Sequence, residues 1–293
     1  MKKKIEIAKK LIEENLNVFR CPVCRQKMLL QEKSLLCTTG HCFDLSRNGY
    51  INLLKNTIHS KYDNDLFTAR KTVLQNGFFE KLITEIGNFM LQTESIIQNQ
   101  DLKILDAGCG EGTNLVNLTR YIRRHSSRTP VGIGLDISRE GIHIASREFP
   151  GHIWSVADLA NSPLNDKQFD FIINILSPAN YFEFNRILKD NGFLIKVIPG
   201  VFYLQEIRKI LSPKSEGKPS SNKEIINLFQ KNFKIINQQH FSYQQEINNN
   251  DILPFIEMTP LSWRIKEKKV SEDNYCQINK ITADFIILAG IKK

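Results

Sequence analysis

Five short apolar runs between residues 102 and 198 constrain this 293-residue chain more than any other feature. They read LKILDAG (102–108), VGIGLDI (131–137), HIWSVAD (152–158), FDFIINIL (169–176) and GFLIKVI (192–198). Helix-like stretches lie between them at 113–124, 138–148 and 180–189. Strands that alternate with helices predict an α/β fold, a parallel sheet with helices on both faces. Further on, a helix is expected near 223–231, a strand near 233–243, a helix near 251–259 and a last strand at 283–289. The stretch SPKSEGKPSSNK at 212–223 reads as a mobile loop. Upstream, apolar residues at helical spacing run from Phe67 to Phe89, and Gly77 is expected to separate two helices there.

The first run ends in DAGCGEG, with Asp106 closing the strand and Gly108, Gly110 and Gly112 forming a turn into a helix. Glycines let a backbone approach a ligand closely, and a helix start favours negative charge. The dinucleotide fingerprint is G-x-G-x-x-G. Here the third glycine comes one residue early, which suits S-adenosylmethionine better, since no pyrophosphate has to be held. Glu111 belongs to the same turn. The second strand ends at Asp136, where a carboxylate can hold both ribose hydroxyls, and the third at Asp158, where it can accept from an adenine amino group. Each has a plainer reading: Asp136 as neighbour of a helix cap at Ser138, and Asp158 as a turn residue. Together, three acids at successive strand ends converge on one crevice at the carboxyl edge of the sheet. The fourth strand runs into NILSPANYF, so Asn174, Ser177 and Pro178 are candidates for the target pocket, although Pro178 also simply stops a strand. No strong general base stands out. Asp158, Asp65 and backbone carbonyls near 174–178 are the candidates.

The N-terminal part follows other rules. Of six cysteines, Cys21, Cys24, Cys37 and Cys42 lie within 22 residues, whereas Cys109 and Cys276 are isolated and read as ordinary thiols. In a reducing compartment such a cluster points to metal. Cys21 and Cys24 form a CPVC knuckle, and Cys37 with His41 can form a second, which closes a tetrahedron around structural zinc. Cys42 is adjacent to His41, and spacing leaves open which of them is the fourth ligand. Residues 28–36 read as the hairpin between the knuckles. So small a ribbon buries too little apolar surface to fold without metal.

Net charge is +9, and its placement matters more than its total. Residues 1–80 carry 14 Lys and Arg against 8 Asp and Glu, residues 81–200 carry 12 against 13, and residues 201–293 carry 14 against 10. Basic ends around a near-neutral middle suit a polyanionic partner such as RNA. The opening MKKKIEIAKKLIEENL reads as a short amphipathic helix and not a signal peptide, and no apolar run approaches a membrane span, so a cytoplasmic protein without a membrane partner is expected.

These motifs, in this order, resemble the bacterial 23S rRNA (guanine-N1)-methyltransferases over nearly the whole chain. CPVC, then CTTGH with FDLSRNGYINLL, looks like that family's zinc module. TARKTVLQNGFF resembles the helix before its cofactor domain, LDAGCGEG and GLDIS its cofactor motifs, and MTPLSWR (Met258 to Arg264) its C-terminal element. The resemblance implies a Rossmann-like class I methyltransferase sheet with a small N-terminal zinc-binding β module. The corresponding division is a zinc-binding, RNA-recognising module with its leading helix over 1–60, a helical linker over 61–100 and a methyltransferase domain over 101–293. It implies S-adenosylmethionine and zinc as cofactors, and His41 as the fourth ligand beside Cys21, Cys24 and Cys37. Arg70, in the TAR sequence, joins Asp106, Gly108, Gly110, Glu111, Gly112, Asp136 and Asp158 as a candidate for the cofactor site, with RNA as its other possible contact. The implied product is 1-methylguanine in hairpin 35 of 23S rRNA, made by a homodimer, with macrolide resistance of the tylosin type in some members. Arg20, Arg25, Lys27, Arg47 and Tyr50 of the zinc module would then meet phosphates and loop bases. YDNDLFTAR and ILSPAN, with Ser177 in place of a family alanine, depart from the family pattern near the target pocket. The competing readings are a small-molecule methyltransferase of the quinone-modifying kind and a non-catalytic zinc and RNA-binding module.

Overall fold

The structure is a computed structural model that describes residues 3–56, 64–93, 101–211, 222–248, 252–259 and 278–293. Residues 57–63 and 94–100, most of the loop at 212–223, Cys276 and residues 260–264 of MTPLSWR lie outside these residues. Helix α1 (Lys4–Glu14) precedes a three-stranded antiparallel ribbon of β1 (Met28–Gln31), β2 (Ser34–Cys37) and β3 (Cys42–Asp44). The expected hairpin is β1–β2, paired from Met28↔Cys37 to Gln31↔Ser34. Strand β4 (Ile51–Asn52) leaves the ribbon and pairs in parallel with β7 (Ile153–Val156), at the edge of the main sheet.

That main sheet has eight strands in the order β10-β11-β9-β8-β5-β6-β7-β4. The additional members are β5 (Asp101–Ala107), β6 (Thr129–Asp136), β8 (Phe169–Ile175), β9 (Leu188–Pro199), β10 (Phe233–Glu246) and β11 (Lys280–Lys292). All neighbours from β9 to β4 pair in parallel, while β11 runs antiparallel to β9 and β10. The sheet is therefore mixed at its C-terminal edge. The chain leaves β5 in one direction through β6 and β7, then returns to β8 on the other side. The switch point between β5 and β8 opens a crevice at the carboxyl ends of the strands, where open α/β sheets bind ligands.

The crossover helices are α4 (Thr113–His125), α5 (Arg139–Glu148) and α6 (Tyr181–Ile187). Helices α2 (Asn64–Gln75) and α3 (Glu80–Gln92) form the pair expected around Gly77, and α7 (Gln205–Leu211), α8 (Lys223–Asn232) and α9 (Ile252–Glu257) complete the described helices. All seven residues of β8 are buried, as a strand covered on both faces requires. Its two polar members are therefore bonded. Asp170 accepts from the Lys103 N–H at 2.9 Å and pairs with Lys189 at 2.7 Å. Asn174 donates to the Ala107 carbonyl at 2.6 Å and to the Pro178 carbonyl at 3.2 Å. Phe171 on β8 stacks on Phe193 of β9, both buried, and each such side chain contributes roughly 1.5–3 kcal/mol.

Candidate active site and metal centre

The metal candidates meet at one end of the ribbon. One ligand atom each from Cys21, Cys24, Cys37 and His41 lies within 4.8 Å of every other. Sγ of Cys24 is 3.6 Å from Sγ of Cys37, and His41 Nδ1 is 3.6 Å from Sγ of Cys21 and 3.3 Å from Sγ of Cys37. Zinc bond lengths of about 2.3 Å to sulfur and 2.0–2.1 Å to nitrogen give tetrahedron edges of roughly 3.5–3.8 Å. The four donors thus fit zinc in size, number and softness. Cys42 is exposed and its thiol turns towards Asp44 at 3.8 Å, which settles the choice that spacing left open. Burial works against ionising Cys37, but hydrogen bonds from Thr39 and His41 bring its thiol down to about 5, the thiolate form a metal requires.

At the other pole, the DAGCGEG turn follows β5. Gly108 has φ +85°, and a Cβ there would collide with the Ser177 side chain. Gly112, the left-handed residue before α4, leaves no room for a Cβ against Trp154. The turn is held by Asp136 at the end of β6. One of its oxygens accepts from Gly110 N–H and the other from Ser138 N–H, both at 2.8 Å. Ser138 in turn caps α5 by accepting from Gly141 N–H at 3.3 Å. Ser138 is the cap, and Asp136 beside it lines the crevice. Asp158 accepts from Ala160 N–H at 2.8 Å and starts a single helical turn, Leu159–Asn161.

One cavity of about 730 Å³ connects these parts. Arg70, Gly108, Gly110, Asp136, Asp158, Ser177 and Pro178 all line it. Ile137, Leu159, Phe67 and Phe79 supply apolar wall. Acids, glycine backbone, an arginine and apolar surface together suit a ligand with an aromatic base, a diol and an amino-acid end, and so fit S-adenosylmethionine.

The remaining candidates lie behind this surface. Glu111 is fully buried and pairs with Arg70 at 3.1 Å, which anchors α2 to the glycine turn. Asp106 is buried; desolvation raises its carboxyl to about 8, with Arg70 opposing the shift. Asn174 is buried under the Ser177–Pro178 loop. Asp65 is exposed at the start of α2.

Sequence reasoning did not single out Lys196, Tyr203 or Arg208, which also line the cavity with Met258 and Thr259. The signal for Lys196 was there, as the one charge inside the apolar run FLIKVI. The zinc module also differs from expectation. Tyr50 is buried, and its hydroxyl accepts from Arg139 at 3.3 Å. Arg20 pairs with Asp166 at 3.5 Å, and Arg25 bonds to Asn161 and to the Ser162 carbonyl. These three residues join the ribbon to the sheet domain, Tyr50 as a buried group and Arg25 as an exposed one. Lys27 and Arg47 are exposed.

Strand order, glycine turn and acidic strand ends define a class I S-adenosylmethionine-dependent methyltransferase with an N-terminal zinc ribbon. Comparison with known proteins agrees. The family described as "RlmA, N-terminal" matches residues 19–61, and "Methyltransferase domain" matches 104–192. The Bacillus subtilis protein named "Putative 23S rRNA (guanine-N(1)-)-methyltransferase YxjB" is 37% identical over 279 residues, 94% of this chain and 98% of that protein. The 23S rRNA (guanine(748)-N(1))-methyltransferase of Streptomyces fradiae is 25% identical, covering 83% of this chain and 85% of its own. Among solved structures, "a Putative Type II Methyltransferase from Anaeromyxobacter dehalogenans" shares the fold with TM-score 0.50 and 12% identity, over 70% of this chain and 95% of that one. The chain belongs to the bacterial 23S rRNA (guanine-N1)-methyltransferase family. No helix among the described residues is long and apolar enough to cross a membrane.

Proposed function

We propose that this enzyme methylates N1 of a guanine in hairpin 35 of 23S rRNA. The observation that carries the reading is the union, on one chain, of a four-donor zinc ribbon with a cofactor crevice that runs on to Ser177 and Pro178. Membership of the family supplies the choice of RNA, and the basic ends of the chain suit it. The ribbon, the helical segment and the sheet domain divide the work over 1–60, 61–100 and 101–293. Arg25, Lys27, Lys33, Arg47 and Lys55 are the exposed ribbon cations that would meet phosphate.

When bound, S-adenosylmethionine supplies a methyl group already activated by a cationic sulfur. The chain supplies position. Asp136 fixes the Gly110 turn and would hold the ribose hydroxyls, Asp158 would receive the adenine edge, and Gly108 lets the loop of Ser177 come close. Arg70, held by Glu111, faces the amino-acid end. Asn174 ties β8 to both Ala107 and Pro178, so the target loop is registered on the cofactor turn. A base reaches this depth only after leaving its stack.

Homodimerisation, a cytoplasmic location and macrolide resistance belong to the same reading. Leu66, Phe67 and Arg70 of YDNDLFTAR and Ser177 of ILSPAN line the cavity. Incubation with labelled cofactor and unmodified 23S rRNA, then digestion to nucleosides, is expected to give labelled 1-methylguanosine. Label in another nucleoside, in a small molecule only, or no transfer would reject the reading.

A further inference from the structure

Lys196 is the one side chain of the cavity whose presence the fold itself does not explain. It sits on β9, next to the centre of the sheet, and is 5% exposed. Its neighbours along the strand, Leu194, Ile195, Val197 and Ile198, are apolar and buried. A strand in this position is normally a continuous apolar run. Burying an ammonium group costs several kcal/mol unless it is paired. Here its partners are neutral: Asn174 Oδ1 and the Ser177 carbonyl. No carboxylate among the described residues pairs with it, and burial alone lowers it to about 8. The other charged or titratable groups of the cavity are Arg70 from α2, Asp136 from β6, Asp158 after β7, and Tyr203 and Arg208 after β9.

An ammonium carries three N–H donors. Two are used on Asn174 and Ser177, and the group lines the cavity beside Ser177 and Pro178. A third donor therefore remains for whatever occupies the target side. Guanine has one feature that calls for such a cation. Its N1 bears a proton and is a poor nucleophile until that proton leaves, and the resulting negative charge spreads from N1 onto O6. A fixed cation on the cavity wall stabilises charge where it develops, at little reorganisation cost.

We propose that Lys196 is a catalytic residue whose ammonium faces O6 of the target guanine and stabilises the anion from which N1 attacks. The inference rests on the rRNA reading above. The N1 proton passes to solvent. The freed N1 electron pair forms the N–CH₃ bond, and the S–CH₃ bond breaks with its pair returning to sulfur. Lys196 keeps its proton throughout. Asn174 and Ser177 aim it, which gives the buried Asn174 a purpose beyond joining strands.

The test is the pH dependence of single-turnover methyl transfer to 23S rRNA from pH 6 to 10, for wild type, K196M and K196R. An adjacent cation lowers the pKa of an acid by about 1–3 units. The wild-type rate should rise with pH as N1 ionises and fall again in alkali as Lys196 itself loses its proton, a falling limb that K196M lacks. In K196M the rising limb should move up by about 1–3 units, so that the rate is roughly 10- to 1000-fold lower near neutrality and recovers in alkali. K196R should keep the wild-type limb within about tenfold in rate. Calorimetric cofactor affinity checks that each variant is folded, and K196Q replaces K196M if that variant does not fold. A K196M or K196Q profile parallel to wild type would make Lys196 a structural residue and overturn the proposal. If K196R is as inactive as K196M, Lys196 acts as a neutral base, which also overturns it. If wild type does not methylate the RNA at all, the rRNA reading fails first and this inference falls with it.

Discussion

The contact between the cofactor turn and the target loop gives the sharpest mutational prediction. Gly108 has φ +85°, and a Cβ on it would overlap both Cβ and Oγ of Ser177. A non-glycine residue in left-handed backbone costs about 1–2 kcal/mol. Forcing an extra carbon into a packed site costs about 1–3 kcal/mol more. Gly108→Ala should therefore lose about 2–5 kcal/mol, shared between folding stability and cofactor affinity. Ser177→Gly removes the atoms that collide, and by itself should cost only about 0.5–1 kcal/mol through added chain freedom. The double variant should recover the steric part of about 1–3 kcal/mol and keep the backbone part. Urea denaturation of the four proteins, with cofactor titration calorimetry, reads out this coupling. Additivity within about 0.5 kcal/mol would show that the two segments do not touch, and would refute the argument that glycine at 108 lets the target loop approach the cofactor.

The other predictions concern the metal and the buried charges. Cys24→Ser should lose the zinc that wild type carries and loosen the ribbon, whereas Cys42→Ser should keep full zinc by metal analysis, because that thiol turns away to Asp44. Arg70→Met leaves the fully buried Glu111 without its counter-charge, a loss of about 3–5 kcal/mol, and adding Glu111→Gln should restore much of it in denaturant titrations. Asp106 has its folded pKa raised to about 8 from an ordinary 3.8. Its contribution to stability is thus full below the unfolded pKa and is lost as pH rises towards 8. At about 1.4 kcal/mol per pH unit over the three units between pH 5 and pH 8, Asp106→Asn should stabilise the cofactor-free enzyme by up to about 4 kcal/mol more at pH 8 than at pH 5. An equal effect at both pH values would argue against a neutral Asp106.

The features legible in sequence were those set by local rules. Alternating runs gave β5 to β9, the offset glycines gave the turn, and Asp136 and Asp158 reached the cavity because strand ends converge at the switch point. Knuckle spacing gave Cys21, Cys24 and Cys37, but His41 and Cys42 are adjacent, and only the direction of β3 separates them. What sequence did not reveal depends on long-range contact. Strand β4, two residues long, has no pattern of its own and exists because β7 offers an open edge. Arg20 and Tyr50 look like RNA-binding groups until Asp166 and Arg139 come into reach. Asn174 is a natural candidate for touching substrate, yet it lies behind the cavity wall, and Lys196, which it bonds, lines the cavity instead.

The central claim is that this crevice delivers a methyl group to N1 of one guanine in 23S rRNA. A methyl on N1 blocks the pairing edge, so reverse transcription across the modified RNA must halt there. The most direct measurement is primer extension along hairpin 35 after incubation of unmodified 23S rRNA with enzyme and cofactor. The account predicts one strong stop next to a guanine of that hairpin, absent without cofactor and absent with Asp136→Ala. Full read-through of the hairpin beside labelled methyl elsewhere in the RNA, or an undiminished stop with Asp136→Ala, would contradict it.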